Sequence, residues 1–328
     1  MRTKNLLMMA AVAGTMTLGS CSNNDEFNEN SNFPADGVIR VTTNIDAPMT
    51  RAGMTTGNID RFNIKIDNAA NDHYNYYGFY YKQNNVWSSY TDGNIGTPLT
   101  MLWQNSTQPV TVTALSQLGT HTTKTQFTTD IAYDVSLTQS SESSFLFSDI
   151  LYMQPTLVNP ATDLVDGKLS ITFKHIMSKV NLSVTLGTEL NVAPGTDANP
   201  ISELMVNGTI TQFKWNASLG NTDFDLTGFQ VKSIPPFAAS YTPGSGTTTN
   251  AVANYEVILV PQTVAAGGFS VTFKIGEKTY SWTSTDAVTL ESGKQHTLNL
   301  TAGKDVVQTG SFTAIAWTEG TGDSLETE

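Results

Sequence analysis

Cys21 is the only cysteine in the chain, and it stands where a covalent modification is expected. It closes the stretch Leu18-Gly19-Ser20-Cys21, after an early positive charge and a short apolar run. A positive start, an apolar core and small residues at the end are typical of a secretory signal peptide, and the run is too short to span a bilayer. Ending on cysteine is the pattern of a bacterial lipobox. We expect residues 1–20 to be removed and Cys21 to receive a lipid such as palmitate; the alternative is an ordinary signal peptide with an incidental cysteine.

Other reactive side chains show no catalytic or metal-binding pattern. The histidines are scattered at His73, His121, His175 and His296, without the spacing of a metal site. The chain has neither a nucleophile elbow nor a glycine-rich phosphate loop. The sequence therefore predicts a protein that is not an enzyme, with no cofactor and no metal. A net charge of −12 also disfavours nucleic acid and anionic membranes as partners.

Short alternating apolar segments predict that the chain is built of β-strands. Only 14% of the residues are charged, against about 25% in an average globular protein. In residues 38–45, Ile39, Val41, Thr43 and Ile45 fall on one face, as expected for a strand with one buried side. Many such segments separated by turn signals favour β-sandwiches, and the length fits two in series.

The predicted domain order begins with the signal peptide at residues 1–20 and a flexible tether at 21–36, whose Asn-rich composition cannot form a core. An N-terminal sandwich follows over 37–166. A turn-forming stretch then leads to a C-terminal sandwich over 167–328. The last apolar segment lies at 310–317.

Three local patterns give further predictions. Between residues 168 and 186 the buried parity changes, which requires a bulge or turn at 174–179. His175 lies at that break, where a single histidine is typical of a structural role. Asn207-Gly208 predicts a tight hairpin turn, and residues 145–153 predict a buried strand.

Four features together resemble the fimbrillin family, the subunits of type V pili that assemble at the outer membrane. They are the lipobox ending at Cys21, the first strand followed by Thr50-Arg51-Ala52, the segment from Ile171 to Val180 with Phe173, His175, Ser178 and Lys179, and the terminal Ile315-Ala316-Trp317. The resemblance spans the whole chain, and it implies two transthyretin-like, Greek-key β-sandwiches in tandem.

What the resemblance implies for function is polymerisation by strand exchange. The subunit would be exported as an outer-membrane lipoprotein, exposed at the cell surface, and cut there between Arg51 and Ala52 by an arginine-specific protease. The cut would release the strand at 38–45, and a C-terminal strand of another pilin subunit would fill the groove. The residues expected to form that donor strand are Phe312, Thr313, Ala314, Ile315, Ala316 and Trp317.

The mature product would be a fimbrium that supports adhesion to a host or bacterial receptor. Arg40 and Arg61 are competing cleavage sites, but both stand beside alternating apolar residues. The sequence does not distinguish between a stalk, a tip and an anchor subunit, although the segment after residue 310 favours a subunit that donates a C-terminal strand. The alternative function is a surface lipoprotein that binds glycans through the aromatic stretch Tyr74–Tyr81 and through Trp87.

Overall fold

Alternating apolar side chains form β-strands through most of the described part of the chain. The computed structural model describes residues 32–46, 54–91, 97–117, 127–190, 198–245, 247–304 and 306–317. The strands are β1 (Arg40–Ile45), β2 (Arg61–Asp67), β3 (Tyr76–Gln83), β4 (Val86–Tyr90), β5 (Val110–Gln117), β6 (Ile131–Asp134), β7 (Ile150–Val158), β8 (Lys168–His175), β9 (Ser178–Leu186), β10 (Ile201–Ile210), β11 (Gln212–Trp215), β12 (Val231–Ile234), β13 (Phe237–Thr242), β14 (Ala251–Leu259), β15 (Gln262–Val264), β16 (Ser270–Ile275), β17 (Lys278–Thr283), β18 (Val288–Leu290), β19 (Lys294–Ala302) and β20 (Val307–Ala316). The helices are α1 (Glu142–Phe147) and α2 (Pro160–Asp163). The predicted all-β class is confirmed. Across the described ranges, no helix has the length and apolar character needed to cross a membrane.

The first sheet has seven strands in the order β1-β8-β7-β5-β2-β3-β4. Strand β1 lies at one edge and pairs in parallel with β8. The predicted one-sided burial of this segment is confirmed, because Ile39, Val41 and Ile45 are each at most 5% exposed. The edge strands β1 and β4 also contact each other, so the sheet is strongly curled.

The chain passes from the first sheet to the second at the predicted parity break. Strand β8 ends at His175 and belongs to the seven-stranded sheet, whereas β9 begins at Ser178 and lies at the centre of a five-stranded sheet. That sheet has the order β13-β14-β9-β19-β20. Ile176 and Met177, between the two strands, are both buried. The break is therefore a crossover between two sheets, which explains why apolar residues change parity there.

Smaller sheets connect the two halves of the sequence. The remaining sheets have the orders β12-β10-β16-β17, β11-β6 and β15-β18. The β6–β11 pair joins a strand before residue 166 to one after it, and β8 pairs with β1 and β7. The buried apolar residues belong to one continuous core cluster. The division into sandwiches at 37–166 and 167–328 stays a prediction.

Two local predictions are wrong. The chain continues as one strand through Asn207 and Gly208, without a hairpin turn, and its pairing with β12 shifts register there. Gly208 has φ +91°, and a Cβ atom on it would lie 1.8 Å from the carbonyl oxygen of Gly268. Glycine at position 208 therefore allows a β-bulge and the close approach of the backbone at Gly268. The segment predicted as one strand over 145–153 is instead split between α1 and β7, because Ser141 caps a helix with its side chain.

Candidate functional site

The predicted lipidation and cleavage residues lie outside the described part of the chain. Cys21, Arg51 and Ala52 all fall in this group. The residues that flank the predicted cleavage segment are each held by a hydrogen bond. The amide of Asp46 donates to the carbonyl of Phe173 at 2.7 Å, and the amide of Met54 donates to Oδ2 of Asp149 at 2.8 Å. The segment between them therefore starts at the end of β1 and ends at an anchored, buried residue.

Strand β1 fills an apolar groove at the edge of the first sheet. Its neighbour β8 contributes Ile171 and Phe173, both fully buried, at register positions opposite Thr43 and Ile45. Ahead of the strand, the amide of Ile39 donates to the carbonyl of Met101 at 2.9 Å. The carbonyl of Ile39 accepts from the hydroxyl of Tyr80, also at 2.9 Å.

Two further features mark the surroundings of β1. Burial raises the pKa of the Tyr80 hydroxyl well above its usual range, so this group acts as a neutral hydrogen-bond donor to β1. On the solvent side, the Arg40 guanidinium donates to the carboxylate of Asp36 and holds the pKa of that carboxyl well below its usual range. The side chains of β1 are therefore apolar on the face that packs on the core and polar on the face exposed to water.

The predicted donor residues from Phe312 to Ala316 form the second half of β20, at the edge of the second sheet. Strand β20 pairs antiparallel with β19 and has a register shift at Asn299/Leu300. Phe312 is half-buried opposite Leu298, and its ring stacks on that of His296 with centroids 5.6 Å apart. Thr313, Ala314 and Ile315 are exposed, with Ile315 at 57%. The structure thus places this segment at an edge of its own chain's sheet.

Trp317 follows β20 and is buried against the crossover between the sheets. Its indole stacks on the ring of His175, with centroids 4.3 Å apart and planes 15° apart. Nδ1 of His175 lies 3.0 Å from Oδ1 of Asp149, and both side chains are almost completely buried. Sequence reasoning singled out His175 and Trp317 but missed Asp149. No local pattern marks Asp149, because its contacts reach across 26 residues to His175 and 95 residues to Met54.

The lysine of the family-like segment also has a buried partner. Nζ of Lys179 lies 3.1 Å from Oε1 of Glu256, with the lysine side chain 1% exposed. Burial lowers the pKa of Lys179 and raises that of Glu256, while the attraction between the two groups opposes both shifts. His175 and Lys179 therefore hold buried acidic partners next to the crossover.

The aromatic stretch considered for glycan binding is not a flat exposed row. Phe79 and Tyr80 are buried, and Tyr76 and Tyr77 are half-buried. Trp87 packs edge-on against Phe62 at 5.1 Å. This packing counts against the glycan-binding alternative at Tyr74–Tyr81. Among the described residues, no group of three or more His, Cys, Asp or Glu could hold a metal ion.

The strands and sheets described above make this an all-β protein. Comparison with known proteins identifies its family. The fimbrillin-like family profile matches residues 43–317. The chain belongs to the fimbrillin-like family. This membership supports a pilus or cell-adhesion subunit at the cell surface, which assembles with other pilin subunits and is not an enzyme.

Solved structures agree on the fold. A candidate cell adhesion protein from Bacteroides uniformis is 17% identical, with a TM-score of 0.55 over 87% of this chain and 100% of its own. Another, from Bacteroides ovatus, is 15% identical, with a TM-score of 0.58 over 86% of this chain and 98% of its own. At these identities the likeness establishes the fold alone. No curated protein sequence matches the chain.

Proposed function

We propose that this protein is a stalk-type pilus subunit, exported as a lipoprotein on Cys21 and activated by cleavage between Arg51 and Ala52. Cleavage removes β1, and β20 of another subunit fills the groove. The observation that carries the proposal is the placement of β1. It is an edge strand whose regular ladder is with β8 alone, and it immediately precedes the segment that contains Arg51. Together with Ile39 just before it, the strand buries three apolar side chains.

The apolar burial of β1 explains why its removal would drive assembly. Burying a large aliphatic side chain contributes about 1.5–3 kcal/mol, so Ile39, Val41 and Ile45 together contribute about 5–9 kcal/mol. A typical domain is stable by only about 5–15 kcal/mol. A cut subunit therefore carries an open sheet edge and a large stability deficit, and an added strand supplies backbone hydrogen bonds and apolar side chains.

The geometry of donation determines the shape of the polymer. The donor β20 and the acceptor groove beside β8 lie on different sheets of the same chain. Such a contact joins two different surfaces of successive subunits, so repetition gives an open filament rather than a closed ring. A subunit that both loses β1 and donates β20 has the two functions that a stalk requires.

The proposal is tested by treating purified precursor with an arginine-specific protease. Wild type should lose residues up to Arg51 and form a ladder of polymers, whereas Arg51→Ala should remain an intact monomer. Arg40→Ala and Arg61→Ala are matched controls, because both arginines begin strands and form ion pairs with Asp36 and Asp60. Both controls should polymerise like wild type. Polymerisation of uncut Arg51→Ala would refute cleavage-dependent activation.

A further inference from the structure

The C-terminal strand β20 pairs with β19 along its length, and the residue that follows it, Trp317, is buried. Within β20, Thr313, Ala314 and Ile315 are exposed, and Phe312 is only half-buried. Trp317, in contrast, is 3% exposed, and its amide donates to the carbonyl of Gly293 at 3.1 Å. The side chains described at 313–315 bury little surface, and a strand held by few buried contacts opens easily. The buried indole of Trp317 therefore restrains this end of β20.

The position of the indole depends on His175 and, through it, on Asp149. The imidazole lies in a nearly parallel stack with Trp317, and its Nδ1 is within hydrogen-bond distance of the Asp149 carboxylate. That contact fixes the plane of the ring, as a buried carboxylate does for many histidines. Stacked aromatic pairs of this kind contribute beyond the apolar area they bury.

The same carboxylate also holds the chain beside the proposed cleavage site. Oδ1 of Asp149 faces His175, and Oδ2 accepts the hydrogen bond from the amide of Met54. We call Met54, Asp149, His175 and Trp317 the anchor cluster. It joins the start of the retained chain to the end of the donor strand through two buried side chains.

We propose that the anchor cluster keeps β20 docked on its own sheet until cleavage, so that Trp317 release is coupled to the cut at Arg51; this inference rests on the proposed function. Before the cut, Met54 is restrained by chain on both sides. After the cut, it is two residues from a new terminus, and terminal residues are poorly ordered unless held. Weakening the Met54–Asp149 hydrogen bond loosens the carboxylate that orients His175, and with it the stack on Trp317.

Hydrogen exchange of the full-length precursor tests the anchor directly. In Trp317→Ala, the amides of β20 should exchange at least about tenfold faster than in wild type, because the substitution removes the burial of the indole as well as its stack on His175. The β2–β3 hairpin of the first sheet should be unchanged. Ile315→Ala is the matched control, because it truncates an exposed side chain on the same strand, and its β20 exchange should equal that of wild type. Unchanged β20 exchange in Trp317→Ala, or an equal increase in every sheet, would overturn the anchor.

The coupling is tested by hydrogen exchange of wild type and Asp149→Asn, each before and after cleavage, at a dilution at which the cut protein stays monomeric. In wild type, the cut should raise β20 exchange severalfold. In Asp149→Asn, β20 should already exchange fast before the cut and change no further. If the cut leaves the β20 exchange of monomeric wild type unchanged while polymers form at higher concentration, the coupling is wrong and the proposed function stands. If exchange responds and no polymer forms, the coupling stands and the proposed function fails.

Discussion

Replacing Ile45 by alanine should destabilise the precursor but leave the assembled subunit untouched. Ile45 is the last residue of β1 and is 2% exposed, at a register position beside Phe173. Truncating a buried isoleucine to alanine costs about 2–5 kcal/mol, which is a large part of the stability of a typical domain. In the proposed polymer residue 45 is absent, so wild-type and variant polymers have the same composition.

The matched control for Ile45→Ala is Ile64→Ala. Ile64 lies in β2, is completely buried and remains in the chain after cleavage. Urea unfolding of the precursors should show a loss of about 2–5 kcal/mol for both variants. Thermal melting of the purified polymers should show a lower midpoint for Ile64→Ala only. A polymer of Ile45→Ala that melts below the wild-type polymer would show that β1 is retained, and would refute strand removal.

Three further predictions address the buried charges and the lipid. Lys179→Met should lower the free energy of unfolding, measured in urea, by about 3–5 kcal/mol, because it leaves Glu256 buried without its cation. The control Lys274→Met breaks the exposed ion pair with Glu203 and should cost at most about 1 kcal/mol. Equal losses in the two variants would contradict a special role for the buried pair. Burial lowers the pKa of His296, so below pH ~6.5 the unfolded chain binds more protons than the folded protein, and the free energy of unfolding should fall from pH ~6.5 towards pH 5. In His296→Gln this contribution to the pH dependence of the free energy of unfolding should be lost. An unchanged pH dependence in that variant would contradict the assignment. Cys21→Ser should abolish incorporation of labelled palmitate, and label retained in that variant would rule out lipidation at Cys21.

Local alternation in the sequence predicted many of the strands and located a break at 174–179, but it did not show that the break is a crossover between two sheets. Ile39, Val41 and Ile45 alternate because one face of the segment 39–45 is buried, and the parity change near His175 reflects a move between sheets. The Asn207-Gly208 prediction failed because a glycine with positive φ serves a bulge as well as a turn. Its close approach is to Gly268, which lies in the turn between β15 and β16, far along the chain.

The candidate site was only partly predictable, because its contacts are long-range. His175, Lys179 and Trp317 stand in motifs that a family resemblance singles out. Asp149 and Glu256 do not, since each becomes a partner only after separate strands meet. The parallel pairing of β1 with β8 also joins residues far apart in sequence. Periodicity identifies each strand, but it carries no information about which strand lies beside it.

The most direct test of the central claim is the N-terminal residue of the protein in polymers sheared from the cell surface. The account predicts that polymerised subunits begin at Ala52, and that the fragment ending at Arg51, with β1 inside it, stays with the membrane through lipidated Cys21. Intact-mass analysis of the same material provides the internal check. Polymerised subunits that begin at Cys21, or that still contain residues 38–45, would contradict the removable first strand.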